Sequence, residues 1–332
     1  AKQLAEDGYF TDFISNGVST ELCFMAFCAF TLIIIFAGVQ NGIERVSKIM
    51  MPILIVLSVI IAVYSVTRPG ALAGVKYFLV PNVKNFSWMT VVSAMGQMFY
   101  SLSIAMGILI TFGSYMKKDT AIEDSTRNVE VFDTGIAIMA GLMIIPAVFA
   151  FSGGDPNTLQ AGPSLMFITI PKVFQNMGFG TVIGIVFFLL VLFAAVTSSI
   201  ALTESAVSTF EDELGWGRKK ATVLVGVIML ALGSLSSLGY GPLAGIKIIG
   251  MQFLDLFDFL TNSVMMPIAA LLTSLLVSRV VGIDKIEDEI IHGESAFRRK
   301  KVFVVMIKYL CPVFAIIILL SSVANALGWI KM

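Results

Sequence analysis

The sequence predicts an all-α membrane protein, a single bundle of about eight transmembrane helices of which one is broken. Hydrophobic residues make up 57% of the 332 residues, and charged residues only 13%, about half of their share in an average soluble domain. The mean hydropathy is +0.92. Long apolar runs recur along nearly the whole chain. The predicted solvent is therefore a lipid bilayer.

The composition excludes several classes of function. Basic and acidic residues number 22 each, so the chain lacks the strong positive charge of a nucleic-acid-binding protein. One histidine, His292, and three cysteines offer no ligand cluster for zinc or haem, and we predict no cofactor. No nucleophile–base set is apparent either, which argues against an enzyme.

Eight stretches are apolar and long enough to cross about 30 Å of hydrocarbon as helices. They run approximately over residues 21–40, 49–67, 89–116, 130–152, 181–211, 219–238, 254–279 and 303–327. Residues 161–180 are apolar too, but Pro163 and Pro171 break them. We predict a helical hairpin or re-entrant cap there.

Basic residues in the loops predict the orientation of the bundle. Alternate connections hold 14 Lys and Arg residues, and all segments on the other side hold 7. The richer set is predicted to be cytoplasmic. It consists of residues 41–48, 117–129, 212–220 and 279–301. We expect a multi-pass protein of the cell membrane, the inner membrane in a bacterium.

Two spans carry hydroxyls where a bilayer makes them costly. In GQMFYSLSIAMG (96–107), an unwound turn with Ser101 and Ser103 would suit a hard cation or a polar substrate. The alternative is close packing of small residues between helices. In LFAAVTSSIALTES (192–205), Thr197 and Ser198 form a partial oxygen shell for Na⁺, unless they only bond back to their own helix.

Carboxylates occur in two further spans. Asp133 lies deep enough for ion coordination or a protonation role, whereas Glu130 is explained by the charge preference of a helix start. Asp255 and Asp258 share a helix face and favour a gate or an N-terminal cap. Hydrolysis by this pair is disfavoured because no histidine accompanies it.

Several segments resemble the neurotransmitter:sodium symporter family, particularly its prokaryotic amino-acid transporters. They occur in the order known for that family and extend over nearly the whole chain. The matching segments are GIERVSKIMMP (42–52), GQMFYSLSIAMG (96–107), ITFGSYM (110–116), LFAAVTSSIAL (192–202), FEDELGW (210–216) and LFDFLTN (256–262).

The resemblance implies a role for individual residues. Ser101 and Asp133 fall at the first sodium site of the family, and Ala194 (by its carbonyl), Thr197 and Ser198 fall at the second. The positions that match the substrate pocket are Tyr100, Ser103, Met106, Ser199 and Leu202. The outer gate matches Gln97 and Asp258, and the inner gate Tyr115 and Asp212.

The resemblance also implies an inverted-repeat fold, with family helices four to eleven in this chain. Residues 1–20 are then an extracellular loop and 21–67 a remnant of the first repeat. Residues 89–279 form the second repeat and 303–327 an additional helix. We expect a single transporter domain, incomplete at its N-terminus because the first three helices are missing.

The predicted function is sodium-coupled symport of amino acids or related small molecules by alternating access. Its partners are Na⁺, the substrate and the bilayer. The residues present offer only about half of each sodium shell, so we predict that this chain alone does not transport. The alternative is a channel or a non-transporting membrane scaffold built on the same helices.

Overall fold

The computed structural model describes residues 6, 8–155, 162–176, 178–294, 296–326 and 329. In this part of the chain the regular structure is helical, apart from an isolated bridge between Ile248 and Met251. The helices are α1 (Tyr9–Ser15), α2 (Gly17–Phe36), α3 (Val39–Val66), α4 (Ala71–Leu79), α5 (Trp88–Ser101), α6 (Ile108–Ser114), α7 (Ile122–Ser152), α8 (Leu165–Gln175), α9 (Gly180–Leu214), α10 (Arg218–Leu238), α11 (Phe253–Val281), α12 (Ile283–Gly293) and α13 (Lys300–Ala326).

Seven of the described helices are long and apolar enough to cross a membrane, namely α2, α3, α7, α9, α10, α11 and α13. The eighth predicted span, residues 89–116, is instead divided into α5 and α6. Residues 102–107 between them are not helical. The predicted break in this helix is therefore confirmed, and the protein is an all-α, multi-pass membrane protein.

The N-terminal region differs from the loop expected over residues 1–20. Residues 9–15 form α1, and α2 begins at Gly17. The side chain of Asn16 caps α2 by accepting the backbone N–H of Ser19 at 3.2 Å, which satisfies one of the free donors of the first turn. This cap lies within a polar stretch, so hydropathy alone does not reveal the start of the helix.

The chain divides into two compact units. The first comprises Ala1–Val83 and Thr134–Lys247, and the second comprises Lys84–Asp133 and Ile248–Met332. The apolar core of the first unit is built from α3, α7, α8 and α9, with Ile61, Phe174 and Phe187 almost fully buried. Within it, Ser65 Oγ donates to the Met143 carbonyl at 2.6 Å, so this buried hydroxyl joins α3 to α7.

Helices α2 and α10 approach each other closely in the first unit. A Cβ atom added to Gly233 would lie 2.1 Å from the ring of Phe24, and one added to Gly226 would lie 3.2 Å from Leu32. The two glycines thus admit large apolar side chains of α2 against the backbone of α10.

In the second unit α11 packs against α13, and Ser274 Oγ donates to the Ile307 carbonyl at 2.5 Å. Helix α5 also contacts α13. The short α12 joins the two long helices. It has an apolar side that buries Ile290 and a polar side rich in carboxylates.

Candidate functional site

The break between α5 and α6 is the first part of the candidate site. A capping box starts α5, in which Ser87 Oγ accepts the Thr90 N–H at 3.2 Å. After the helix ends at Ser101, Ser103, Ala105 and Gly107 have φ angles of +54°, +63° and +79°. Left-handed conformations cost non-glycine residues about 1–2 kcal/mol each. Strain of this kind persists only where the surrounding structure imposes it.

One carboxylate lies directly beside this break. Ser101 Oγ donates to Asp133 Oδ1 at 2.6 Å, a short, charge-assisted hydrogen bond. Asp133 belongs to α7 and is partly buried. Carboxylate and hydroxyl oxygens are the ligands that hard cations prefer. The two residues predicted for one sodium ion are thus brought together within the second unit.

The other predicted site residues of the second unit lie at several different positions. Tyr100 is 52% exposed, next to Ser101. Tyr115 contacts Phe112 edge to face, with ring centroids 6.1 Å apart. Asp258 Oδ1 accepts the side-chain amide of Asn262 one turn later at 2.5 Å. The remaining residues, Gln97, Ser103 and Met106, lie in α5 or in the break.

A second set of predicted site residues lies on α9 in the first unit. Thr197 Oγ1 donates to the carbonyls of Ala194 at 3.0 Å and Phe193 at 3.1 Å. This is the back-bonding that the sequence left open. A donating hydroxyl still has lone pairs for a cation, so the sodium assignment of Thr197 stays a prediction. Ser198 is exposed.

Three further predicted site residues also lie on α9. Ser199 Oγ is 3.0 Å from Thr31 Oγ1, which ties its hydroxyl to α2. Leu202 is 49% exposed. Asp212 is exposed near the end of α9. The proposed pocket and gate roles of these residues stay predictions.

The first unit contains a buried ion pair, between Glu204 and Arg218, that the sequence analysis did not predict. Glu204 is fully buried and accepts Arg218 Nη1 at 3.0 Å and Nη2 at 2.6 Å. The same guanidinium donates from Nε and Nη2 to the Ile35 carbonyl at 3.0 and 2.9 Å. One arginine therefore neutralises a carboxylate of α9 and satisfies the last turn of α2. A carboxylate so deep in a span was the signal, because it requires a cation.

Comparisons with known proteins identify the family of the chain. The model of the sodium:neurotransmitter symporter family matches residues 12–329. The chain belongs to this family. Within the symporter family, a sodium-dependent transporter of Bacillus subtilis, YhdH, is 34% identical over 315 residues, which are 95% of this chain and 69% of the relative.

Two more relatives of the symporter family are sodium-dependent transporters by their names. The protein MJ1319 of Methanocaldococcus jannaschii is 30% identical over 78% of this chain and 52% of its own length. A Haemophilus influenzae protein is 31% identical over 90% of this chain and 64% of its own length. The chain thus spans between about half and 69% of the length of these relatives.

A solved structure is similar to the chain as well. The crystal structure of MhsT in complex with L-phenylalanine has a TM-score of 0.81 and 34% sequence identity, over 95% of this chain and 70% of that one. At this identity the likeness extends beyond general helix packing. It supports the symporter fold that the sequence predicted.

Proposed function

We propose that the protein is a sodium-coupled symporter that carries a small organic molecule across the cell membrane by alternating access. The observation that carries this proposal is the 2.6 Å contact between Ser101 and Asp133 beside a strained helix break. Membership in the sodium:neurotransmitter symporter family supports sodium as the coupling ion. The names of the relatives support it too.

We infer two sodium sites at the positions that the family resemblance implies. Ser101 and Asp133 supply a hydroxyl and a carboxylate to one ion. The Ala194 carbonyl with Thr197 and Ser198 supplies three neutral oxygens to the other. Hard cations of this kind take about six oxygens, so other groups must complete both shells. Sodium binding then shifts the transporter toward the state that accepts substrate, by its difference in affinity between states.

The proposed substrate is an amino acid with an apolar side chain. The resemblance implies that Tyr100 and Met106 of the second unit supply apolar surface for that side chain and that Ser103 of the same unit supplies a polar contact. The L-phenylalanine named for the similar MhsT structure supports this class. Gln97 and Asp258, both of the second unit, serve the outer gate.

Uptake into vesicles tests the proposal. The full gene product is reconstituted, and labelled phenylalanine, leucine and a polar amino acid are offered under an inward sodium gradient or an equal potassium gradient. We expect saturable uptake of an apolar amino acid with sodium only. Flux that rises linearly with the amino-acid concentration would support the alternative that the protein is a channel. The absence of sodium-dependent flux of any amino acid would support a non-transporting membrane scaffold.

A further inference from the structure

A network of charged residues in the second unit joins the start of α7 to the connection between α12 and α13. We call it the α7 clamp; its members are Glu123, Glu130, Glu294, Arg298 and Arg299. We propose that the α7 clamp holds α7 in the position from which Asp133 reaches Ser101, with Arg299 as a positioning residue for sodium affinity. The inference rests on the proposed function, since it takes Asp133 as a sodium ligand.

The first half of the α7 clamp is an exchange of backbone hydrogen bonds. Glu294 Oε1 accepts the N–H groups of Glu123 at 2.6 Å and Asp124 at 3.4 Å. In return, Glu123 Oε2 accepts the N–H of Arg298 at 2.9 Å. The first N–H groups of a helix have no partner within it and carry partial positive charge. The carboxylate of Glu294 therefore acts as an N-terminal cap that comes from a distant segment.

The same junction is packed tightly. A Cβ atom added to Gly293 would lie 2.7 Å from the Thr120 carbonyl, so the end of α12 meets the chain just before α7 at close range. The side chain of Glu123 is only 10% exposed. These contacts make the cap part of a packed interface rather than a single surface ion pair.

Arg299 extends the α7 clamp by two turns along α7. Its Nη1 lies 2.9 and 3.2 Å from the two carboxylate oxygens of Glu130, and its Nε lies 3.8 Å from Glu123 Oε1. The hydrogen bond and the charge of Glu130 raise the pKa of Arg299 above its ordinary value. The guanidinium therefore keeps its charge at any pH at which the protein is studied.

The position of Glu130 connects the α7 clamp to the candidate site. Glu130 and Asp133 are three residues apart and share one face of α7. Backbone hydrogen bonds from each residue to the one four positions earlier join successive turns of a helix. Fixing Glu130 therefore fixes the turn that carries Asp133. A slip of about 1 Å would be enough to weaken the hydrogen bond to Ser101.

A neighbouring ion pair provides a matched control. Lys300 pairs with Glu287 of α12, so this pair lies within the α12–α13 region and does not include α7. The variants R299Q and K300Q each remove one positive charge from adjacent positions. Only R299Q breaks a contact to α7. A general effect of charge or loop stability would appear in both variants.

The test measures the half-saturating sodium concentration of the full gene product, by sodium-dependent thermal stabilisation of the purified protein and by uptake. We expect an increase of about two- to fivefold for R299Q, in the range of partly exposed ion pairs. R299K is expected to be intermediate, because lysine keeps the charge without the planar fork. K300Q should match wild type, and substrate affinity at saturating sodium should be unchanged in every variant.

Equal sodium responses of R299Q, K300Q and wild type would overturn the inference. If R299Q does not fold, the sodium responses of R299K and E294Q are compared with wild type instead. E294Q keeps an acceptor oxygen for the first N–H groups of α7 but loses the negative charge. The variant D133N separates this inference from the proposed function. A normal sodium response of D133N refutes the proposed ion site, whereas an altered response of D133N with a normal response of R299Q refutes only the α7 clamp.

Discussion

Ser101 Oγ and Asp133 Oδ1 lie 2.6 Å apart, which joins the last residue of α5 to a carboxylate about three turns into α7. The serine hydroxyl donates in this arrangement, and its hydrogen can rotate away to leave an oxygen lone pair for a cation. The pair is therefore able to change from a hydrogen bond to a shared ligand set without moving either backbone.

Chloride independence is a first prediction. Asp133 supplies a fixed negative charge next to the proposed sodium ion, so no mobile anion is required to balance it. We expect sodium-driven uptake by the full gene product to be unchanged when gluconate replaces chloride. A loss of most uptake without chloride would contradict this role of Asp133.

A second prediction separates the two roles of Thr197. Replacement by valine in T197V removes the hydroxyl and keeps the shape, and we expect the half-saturating sodium concentration to rise at least tenfold, which corresponds to about 1.4 kcal/mol. T203V is the matched control, because Thr203 Oγ1 bonds back to the Ser199 carbonyl of the same helix at 2.7 Å. Equal half-saturating sodium concentrations for T197V and T203V would mean that the Thr197 hydroxyl only bonds back to its own helix and does not bind sodium.

The buried ion pair of the first unit gives a third prediction. Removing one member of a fully buried pair costs about 3–5 kcal/mol. E204Q should cost less than this, because the Arg218 side chain is 23% exposed and keeps Glu211 at 3.7 Å. We expect E204Q to lower the thermal midpoint of the protein in detergent, whereas K219Q, which removes the exposed neighbouring charge, should leave it unchanged. The double variant E204M/R218M should recover part of the loss, with the Ile35 carbonyl still lacking its donor. An unchanged thermal midpoint for E204Q would show that the ion pair between Glu204 and Arg218 does not stabilise the protein.

The backbone at the helix break gives a fourth prediction. Ala105 has a φ of +63°, so A105G is expected to raise the stability by about 1 kcal/mol. The same exchange inside α5, A94G, should lower it by about 1 kcal/mol, the ordinary cost of glycine in a helix. Chemical denaturation of both variants checks the opposite signs. Destabilisation of equal size in both would argue against strain at Ala105.

Hydropathy and local composition could predict most of the fold. The spans follow from long apolar runs, and the break follows from Gly96, Ser101, Ser103 and Gly107 within one of them. Helix α1 could not be found in this way, because seven residues in a polar stretch give too little periodicity. Its place depends on the cap at Asn16 and on packing against α2.

The candidate site was predicted less completely. Ser101 and Asp133 are 32 residues apart, and only the family resemblance indicated that they meet. Glu204 lies within the predicted span 181–211 and Arg218 within the predicted loop 212–220. Nothing in the sequence pairs them, although the turn from α9 to α10 brings the two together. Contacts between distant segments, such as Glu294 with the start of α7, leave no periodic signal in the sequence.

Sodium titration of variants at Ser101 and Asp133 tests whether these two residues bind one sodium ion together. Sodium binding to the full gene product is titrated for wild type, S101A, D133N and the double variant, with D124N as the control because Asp124 is an exposed acid of the same helix. We predict at least a tenfold weaker affinity for each single variant, little further loss in the double variant, and a coupling of about 1 kcal/mol or more. D124N should bind sodium like wild type. Strictly additive losses of sodium affinity in the double variant, or a wild-type sodium affinity in D133N, would show that Ser101 and Asp133 do not bind one ion together.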